Sequence, residues 1–133
     1  MKRKFKTDIL VRNNRIQQMQ DQGIVVNYQI LDDEQYICEL KRKIVEEANE
    51  VAVADTIEEL SSEIGDVLEV IDHLIDVYKL DIDNIQKLKA DKQKRIGKFD
   101  KRYKTNFVEI DENNEAINYY LKKKDKYPEI VED

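Results

Sequence analysis

The sequence is poor in the residues that break or staple a chain. Its 133 residues include three glycines, one proline and one cysteine. So little Gly and Pro leaves scant material for the many turns of an all-β sandwich, and favours helices. The lone Cys38 excludes an intramolecular disulfide, which fits a reducing cytoplasm. Cys38 stands in an apolar helical context and reads as core filler, the common place of a free cysteine. His73 is the one histidine, which excludes a zinc site built from several. Ser61 and Ser62 have no histidine nearby and no nucleophile-elbow context, which argues against serine-nucleophile chemistry. Long apolar runs are missing too, so no membrane span is expected. The basic start Met1-Lys2-Arg3-Lys4-Phe5-Lys6 runs into Asp8 and Arg12. That interruption argues against a signal peptide. Positive charge is in deficit: the net charge is -6, so no general affinity for nucleic acid is expected. There is no internal repeat, low-complexity stretch or linker.

What is present points to helices. The chain is 39% charged and 41% hydrophobic, a mix that suits a helical globular protein rather than disorder. Its length fits a single domain over residues 1–133 with one workable core. Ile9 to Gln22 reads as a first helix stopped by Gly23. The β-branched run Ile24 to Ile30 reads as a short strand. Asp32 or Asp33 is placed to cap a second helix, on which Ile37, Leu40, Ile44, Ala48 and Val51 recur at helical steps to about Ala54. Thr56 is placed to cap a third, with Glu59 completing a capping box. The apolar face of that helix is Ile57, Leu60, Ile64, Val67, Ile71, Leu74, Ile75 and Tyr78. A fourth helix starts at Asp81 or Asp83 and runs to Ile96, with Gly97 as its stop. Phe99 to Ile110 offers a partner for the early strand, and Asn113 to Lys124 reads as a last, polar helix.

Four acids stand out against this frame. Glu47 with Glu50, and Glu63 with Asp66, are each three residues apart on the second and third helices. With Ile44 at the centre of the second helix's apolar face, Leu40, Ala48 and Val51 fall within roughly 40° of it and Glu47 about 60° from it. Glu47 thus takes a place that an apolar residue would fill to the core's advantage. Glu50 sits at the edge of the stripe, and Glu46 points well away. Glu63 and Asp66 border the apolar face of the third helix. A half-buried carboxylate needs compensation, and converging carboxylates repel. Basic partners or a hard cation supply it. Oxygen-only ligands suit magnesium, manganese or calcium. Magnesium characteristically bridges such acids to substrate phosphates. The competing reading is a set of ordinary surface ion pairs.

On the fourth helix the row Ile82, Ile85, Leu88 continues into Lys89 and Lys92, with Lys94 and Arg95 following. These cations are placed to hold phosphates at one end of a bundle. They equally suit the end of a helix dipole, with stems covering apolar surface.

The order of these motifs resembles a known family. Glu47-x-x-Glu50 and Glu63-x-x-Asp66 look like the signature of the all-α MazG-like nucleotide pyrophosphohydrolases. Leu10-Val11-Arg12, Tyr28 to Tyr36, Leu40 to Glu47, Asp66 to Asp72 and Lys92 to Phe99 look closer to the phosphoribosyl-ATP pyrophosphohydrolase-like branch. The likeness covers about residues 5–102, with about 111–133 as a C-terminal helical extension. It implies a mainly α, MazG-like helical bundle with a minor short β element, usually a homodimer, with a higher oligomer as an alternative. It implies magnesium, with manganese as a substitute, held by Glu47, Glu50, Glu63 and Asp66. Glu46 and Glu47 would serve the catalytic step, Glu46 by orienting a water or a ligand. Lys92 and Arg95 would touch substrate phosphates, and Lys89 joins them from its place on the same helical row. The implied reaction splits a nucleoside triphosphate into pyrophosphate and a monophosphate, as in the removal of non-canonical nucleotides. Phosphoribosyl-ATP is the alternative substrate, and a non-catalytic nucleotide-binding or regulatory module the alternative role. The sequence departs from the family pattern at Asn13-Asn14, where Asp-Lys often follows the arginine, and at Ile96-Gly97-Lys98-Phe99, where Gly-Gly-Phe often does.

Overall fold

Capping decides where the two long helices begin. In a computed structural model that describes residues 1–132, α2 runs Asp33–Val53 and α3 runs Ile57–Tyr78. Asp32, in extended conformation, accepts the Gln35 N–H at 2.8 Å, and the Gln35 side chain accepts the Asp32 N–H at 3.2 Å. This reciprocal box satisfies two amides that the first turn would leave unpaired. Asp33 and Glu34 add negative charge where the helix dipole favours it. At α3, the Thr56 hydroxyl accepts the Glu59 N–H at 3.1 Å. The expected box closes one residue early, because the Glu59 carboxylate takes the Asp55 N–H at 3.0 Å rather than that of Thr56. A left-handed Lys79 (φ 55°) ends α3 and lets the Leu80 N–H return to the Ile75 carbonyl at 2.9 Å.

The remaining helices are shorter. These are α1 (Arg15–Asp21), α4 (Ile82–Ile96) and α5 (Ile117–Leu121). Asp81 caps α4 by accepting the Asp83 N–H at 2.9 Å. Gly23 (φ 83°) follows α1 and Gly97 (φ 87°) follows α4, the left-handed positions at which glycine carries no Cβ penalty.

Several expectations are corrected. No strand forms among the described residues. Ile24 to Ile30 lies outside any helix, but a strand exists only by pairing, and Phe99 to Ile110 supplies no ladder to it. The minor β element is therefore absent from the described fold, which is all α. The first helix starts at Arg15 rather than Ile9. The last helix shrinks to five residues, since Asn113 to Lys124 has too few apolar positions to hold a longer one against a neighbour.

Among the described residues α2 and α3 form the one extensively packed helix pair, an αα-hairpin joined through Ala54 to Thr56. Its seam is lined on α2 by Ile37, Leu40, Ile44, Glu47 and Val51, and on α3 by Glu63, Val67, Val70, Leu74 and Val77. Leu40 at 2% exposure and Val70 at 7% are the two buried core residues described. Half of α3's expected apolar face stays in solvent: Ile57, Leu60, Ile64 and Tyr78 are exposed, and so is Leu68 beside it. Cys38 is exposed as well, contrary to its reading as core filler. It precedes Leu40 by two positions, about 200° around the helix, so burying Leu40 turns Cys38 outward.

The chain divides into two compact units, Met1–Lys92 and the residues from Gln93 on. The second carries an aromatic cluster. Tyr119, Tyr120 and Tyr127 have ring centroids 5.1, 5.3 and 6.0 Å apart, and Lys123 Nζ lies 4.6 Å from the Tyr119 ring centroid. No described helix is long and apolar enough to cross a membrane.

Candidate metal centre

The seam of the hairpin brings three of the four acids together. One carboxylate oxygen from each of Glu47, Glu63 and Asp66 lies within 4.8 Å of the other two. All three are partly buried. The Glu47 side chain is 13% exposed and that of Asp66 35%. Glu47 lies on the same line of α2 as Leu40, Ile44 and Val51, as the helical arithmetic requires.

The electrostatics of the cluster are adverse. The Glu63 carboxyl is pushed above its usual range, first by burial and then by the charges of Asp66, Glu50 and Glu47. Two cations answer part of this. Lys43 Nζ lies 3.6 Å from Glu47 Oε1 and 3.4 Å from Glu46 Oε1. Arg12 donates from Nη2 to Asp66 Oδ1 at 2.7 Å. Glu63 has no cation in ion-pair contact among the described residues.

The other expected site residues are spread out. Glu50 is exposed and stands outside the triad, yet near enough for its charge to act on Glu63. Glu46 turns toward Lys43 and lines a different groove, with Asp8, Ile9 and Cys38. Lys89 and Lys92 are exposed on α4 and pair with none of the acids in the first unit. Arg95 belongs to the second unit.

Two residues at the cluster were not singled out as site residues. Lys43 precedes Glu47 by four positions, and that spacing alone marks the pair. Arg12 carried no such signal as a partner of Asp66, which lies 54 positions along the chain.

A groove of about 650 Å³ opens beside the triad. Glu47, Asp66 and Glu69 stand on its hairpin side, and Arg12, Asn14 and Arg15 on its N-terminal side. That volume lies within the range of small-molecule sites, about 300–1,000 Å³. One wall therefore offers carboxylates, and the other offers cationic and amide donors.

The donor set fits a hard divalent cation. It contains only oxygen, and three protein ligands leave positions for water and a phosphate oxygen. Oxygens up to 4.8 Å apart can share one ion with donor distances of about 2.3–2.6 Å, the calcium range; magnesium, at about 2.0–2.1 Å, draws them closer. Comparison of the chain with protein-family models, with curated proteins and with solved structures finds no match.

Proposed function

We propose that the protein is a magnesium-dependent nucleotide pyrophosphohydrolase, acting on nucleoside triphosphates and releasing pyrophosphate and a nucleoside monophosphate. The observation that carries this reading is the convergence of Glu47, Glu63 and Asp66 on the inward faces of α2 and α3. Acids in a helix seam displace apolar contacts, so they favour a role in binding over one in packing. The resemblance of the acid pairs to the MazG-like signature supports the same reading.

In this proposal Glu47, Glu63 and Asp66 hold the ion, and Glu50 adds charge at the rim. A magnesium or manganese ion held by these residues would supply charge neutralisation of the phosphate chain and polarisation of a phosphoryl oxygen. Carboxylates at the seam orient a water for in-line attack. The new bond joins the water oxygen to phosphorus, the bridging P–O bond to the departing pyrophosphate breaks, and the water's proton passes to a carboxylate. Arg15, Asn13 and Asn14 supply donors for the phosphate chain from the facing wall. Lys89 and Lys92 keep the role of phosphate contacts in this proposal, and Arg95, in the second unit, is assigned none.

A homodimer belongs to the same proposal. Two buried core residues are few for a chain of this length, and Leu60, Ile64 and Leu68 leave an apolar line exposed on α3. A second copy would cover that line.

The deciding experiment is pyrophosphate release from common and modified nucleoside triphosphates and from phosphoribosyl-ATP, with Mg2+, with Mn2+ and with chelator. Metal-dependent release supports the enzyme, and the best substrate names its branch. Folded protein that binds nucleotide with metal but releases nothing is a binding module instead.

A further inference from the structure

The deficit of positive charge describes the whole chain, in which 29 acids stand against 23 lysines and arginines. It does not describe residues 98–104, in the second unit. There Lys98, Lys101, Arg102 and Lys104 stand against one acid, Asp100. Aromatic residues interleave with these cations: Phe99, Tyr103 and, three positions beyond Lys104, Phe107. All three rings are exposed, Phe99 at 99% and Tyr103 at 85%. Burying so little, they add little to the folding of the unit.

The local backbone sets this display. Residues 98–107 lie outside any helix. The Arg102 N–H donates to the Phe99 carbonyl at 3.0 Å and closes a turn, with Arg102 in the left-handed conformation (φ 62°). Phe99 and Tyr103 therefore stand at the two ends of the turn that carries Lys101 and Arg102. Among the described residues no cation of the second unit makes an ion pair, and no cation lies over the ring of Phe99, Tyr103 or Phe107. Charges and ring faces are both open to a ligand.

A second run repeats the charge, with Lys122, Lys123, Lys124 and Lys126 against Asp125. Its rings are already engaged. Tyr119, Tyr120 and Tyr127 lie against one another, and Lys123 and Lys126 sit over Tyr119 and Tyr127. That run offers charge without free ring faces.

Cations set between open aromatic faces suit a chain that carries phosphates and unpaired bases together. Bases stack on the rings while the phosphates meet the lysines and the arginine. A duplex hides its base faces and is read by a helix or a two-stranded ribbon in its groove, and residues 98–107 form neither. A membrane surface favours an amphipathic helix with a broad apolar face, which this segment also lacks. We infer that residues 98–107 bind single-stranded nucleic acid, with Phe99 and Tyr103 as stacking platforms and Lys98, Lys101, Arg102 and Lys104 on the phosphates. Recognition by stacking tolerates any base, so little sequence preference is expected. The inference is independent of the metal reading.

The test is fluorescence anisotropy with the full chain in the presence of chelator. The probes are dye-labelled oligo-dT, oligo-U and a mixed-sequence DNA duplex, each of about 20 nucleotides, enough to cover one or more sites of this kind. The single strands should bind, and the duplex at least about fivefold more weakly, the loss of one stacked base. A preference between oligo-dT and oligo-U assigns the strand to DNA or to RNA. Log affinity should fall with log salt at a slope of about -3, from four phosphate contacts at about -0.7 each. Phe99→Ala and Tyr103→Ala remove exposed rings without touching the core, and each should weaken binding about 5- to 150-fold. Lys101→Gln with Lys104→Gln should flatten the salt slope by about 1.4. Lys2→Gln with Lys4→Gln, in the basic run of the first unit, should change neither affinity nor slope appreciably. No single-strand binding, equal binding of the duplex, affinity unmoved by both aromatic substitutions, or a loss that follows Lys2 and Lys4 instead would each overturn the inference. So would uptake by anionic phospholipid vesicles in place of the oligonucleotides, which assigns the segment to a membrane surface.

Discussion

Lys43 Nζ lies 3.6 Å from Glu47 Oε1, one turn earlier on α2. Both side chains are largely covered, at 19% and 13% exposure. The lysine thus meets a largely covered acid of the cluster from its own helix. Its ammonium is also shared with Glu46, which is more open.

Replacing Lys43 by Met should therefore expose the cost of Glu47. Without metal, Lys43→Met should lose about 1 kcal/mol of stability or less, the scale of a helical ion pair that is partly exposed. With saturating Mn2+ the loss should shrink, since the ion takes over the neutralisation. Thermal unfolding with chelator and with Mn2+ reads both states.

Glu47→Gln and Asp66→Asn keep shape and hydrogen-bonding capacity while removing charge. Each should fold as the wild type does and lose metal-dependent turnover by roughly 100-fold or more, since changes to partners of metal ligands already cost about 10- to 100-fold. Pyrophosphate release at matched Mg2+ checks this, and wild-type rates in both variants would falsify the proposed site.

The raised Glu63 carboxyl makes stability depend on pH in a defined direction. Its folded pKa lies above the ordinary carboxylate value, so between the two values the folded chain holds a proton that the unfolded chain has released. Its contribution to stability therefore falls as pH rises through that window and stays unfavourable at neutral pH. Glu63→Gln should remove this slope and raise the melting temperature of the metal-free protein at pH 7 more than at pH 4. A bound divalent ion should likewise stabilise wild type more at pH 7 than at pH 4. Melting curves across pH, with and without Mn2+, check the sign.

Leu40 is the most buried side chain described, at 2% exposure. Leu40→Ala should cost about 2–5 kcal/mol, the range for a fully enclosed leucine. Leu68, at 56% exposure, offers the contrast. In a lone chain Leu68→Glu should shift stability by only about 0.5 kcal/mol. In the proposed dimer it should dissociate the subunits, which sedimentation reads directly.

The long helices were legible because their signals are local. Asp32 and Thr56 announce α2 and α3 within a residue or two, and Leu40, Ile44 and Val51 repeat at helical steps. The same arithmetic put Glu47 in the seam. It could not separate Glu50 from the triad, since the choice between the edge and the interior of a stripe depends on how α3 crosses α2. The strand expected at Ile24 to Ile30 failed for a related reason. Side-chain shape favours extended backbone locally, but only a distant partner turns that preference into a strand. Cys38 was misplaced because its apolar neighbours in sequence lie around the helix from it. The pairing of Arg12 with Asp66 was invisible at the outset, since two exposed charges on separate segments leave no periodic trace.

The tyrosine cluster of the second unit gives this chain an optical property. The sequence has no tryptophan, so tyrosines dominate its near-ultraviolet signal. Three of the seven, Tyr119, Tyr120 and Tyr127, hold their rings in mutual contact and away from parallel, an arrangement that couples their transitions and yields circular dichroism absent from free tyrosine. The far-ultraviolet spectrum, by contrast, is dominated by the long helices of the first unit. One unlabelled sample thus carries two colours, and melting it at both wavelengths reveals whether the two units come apart together or in turn.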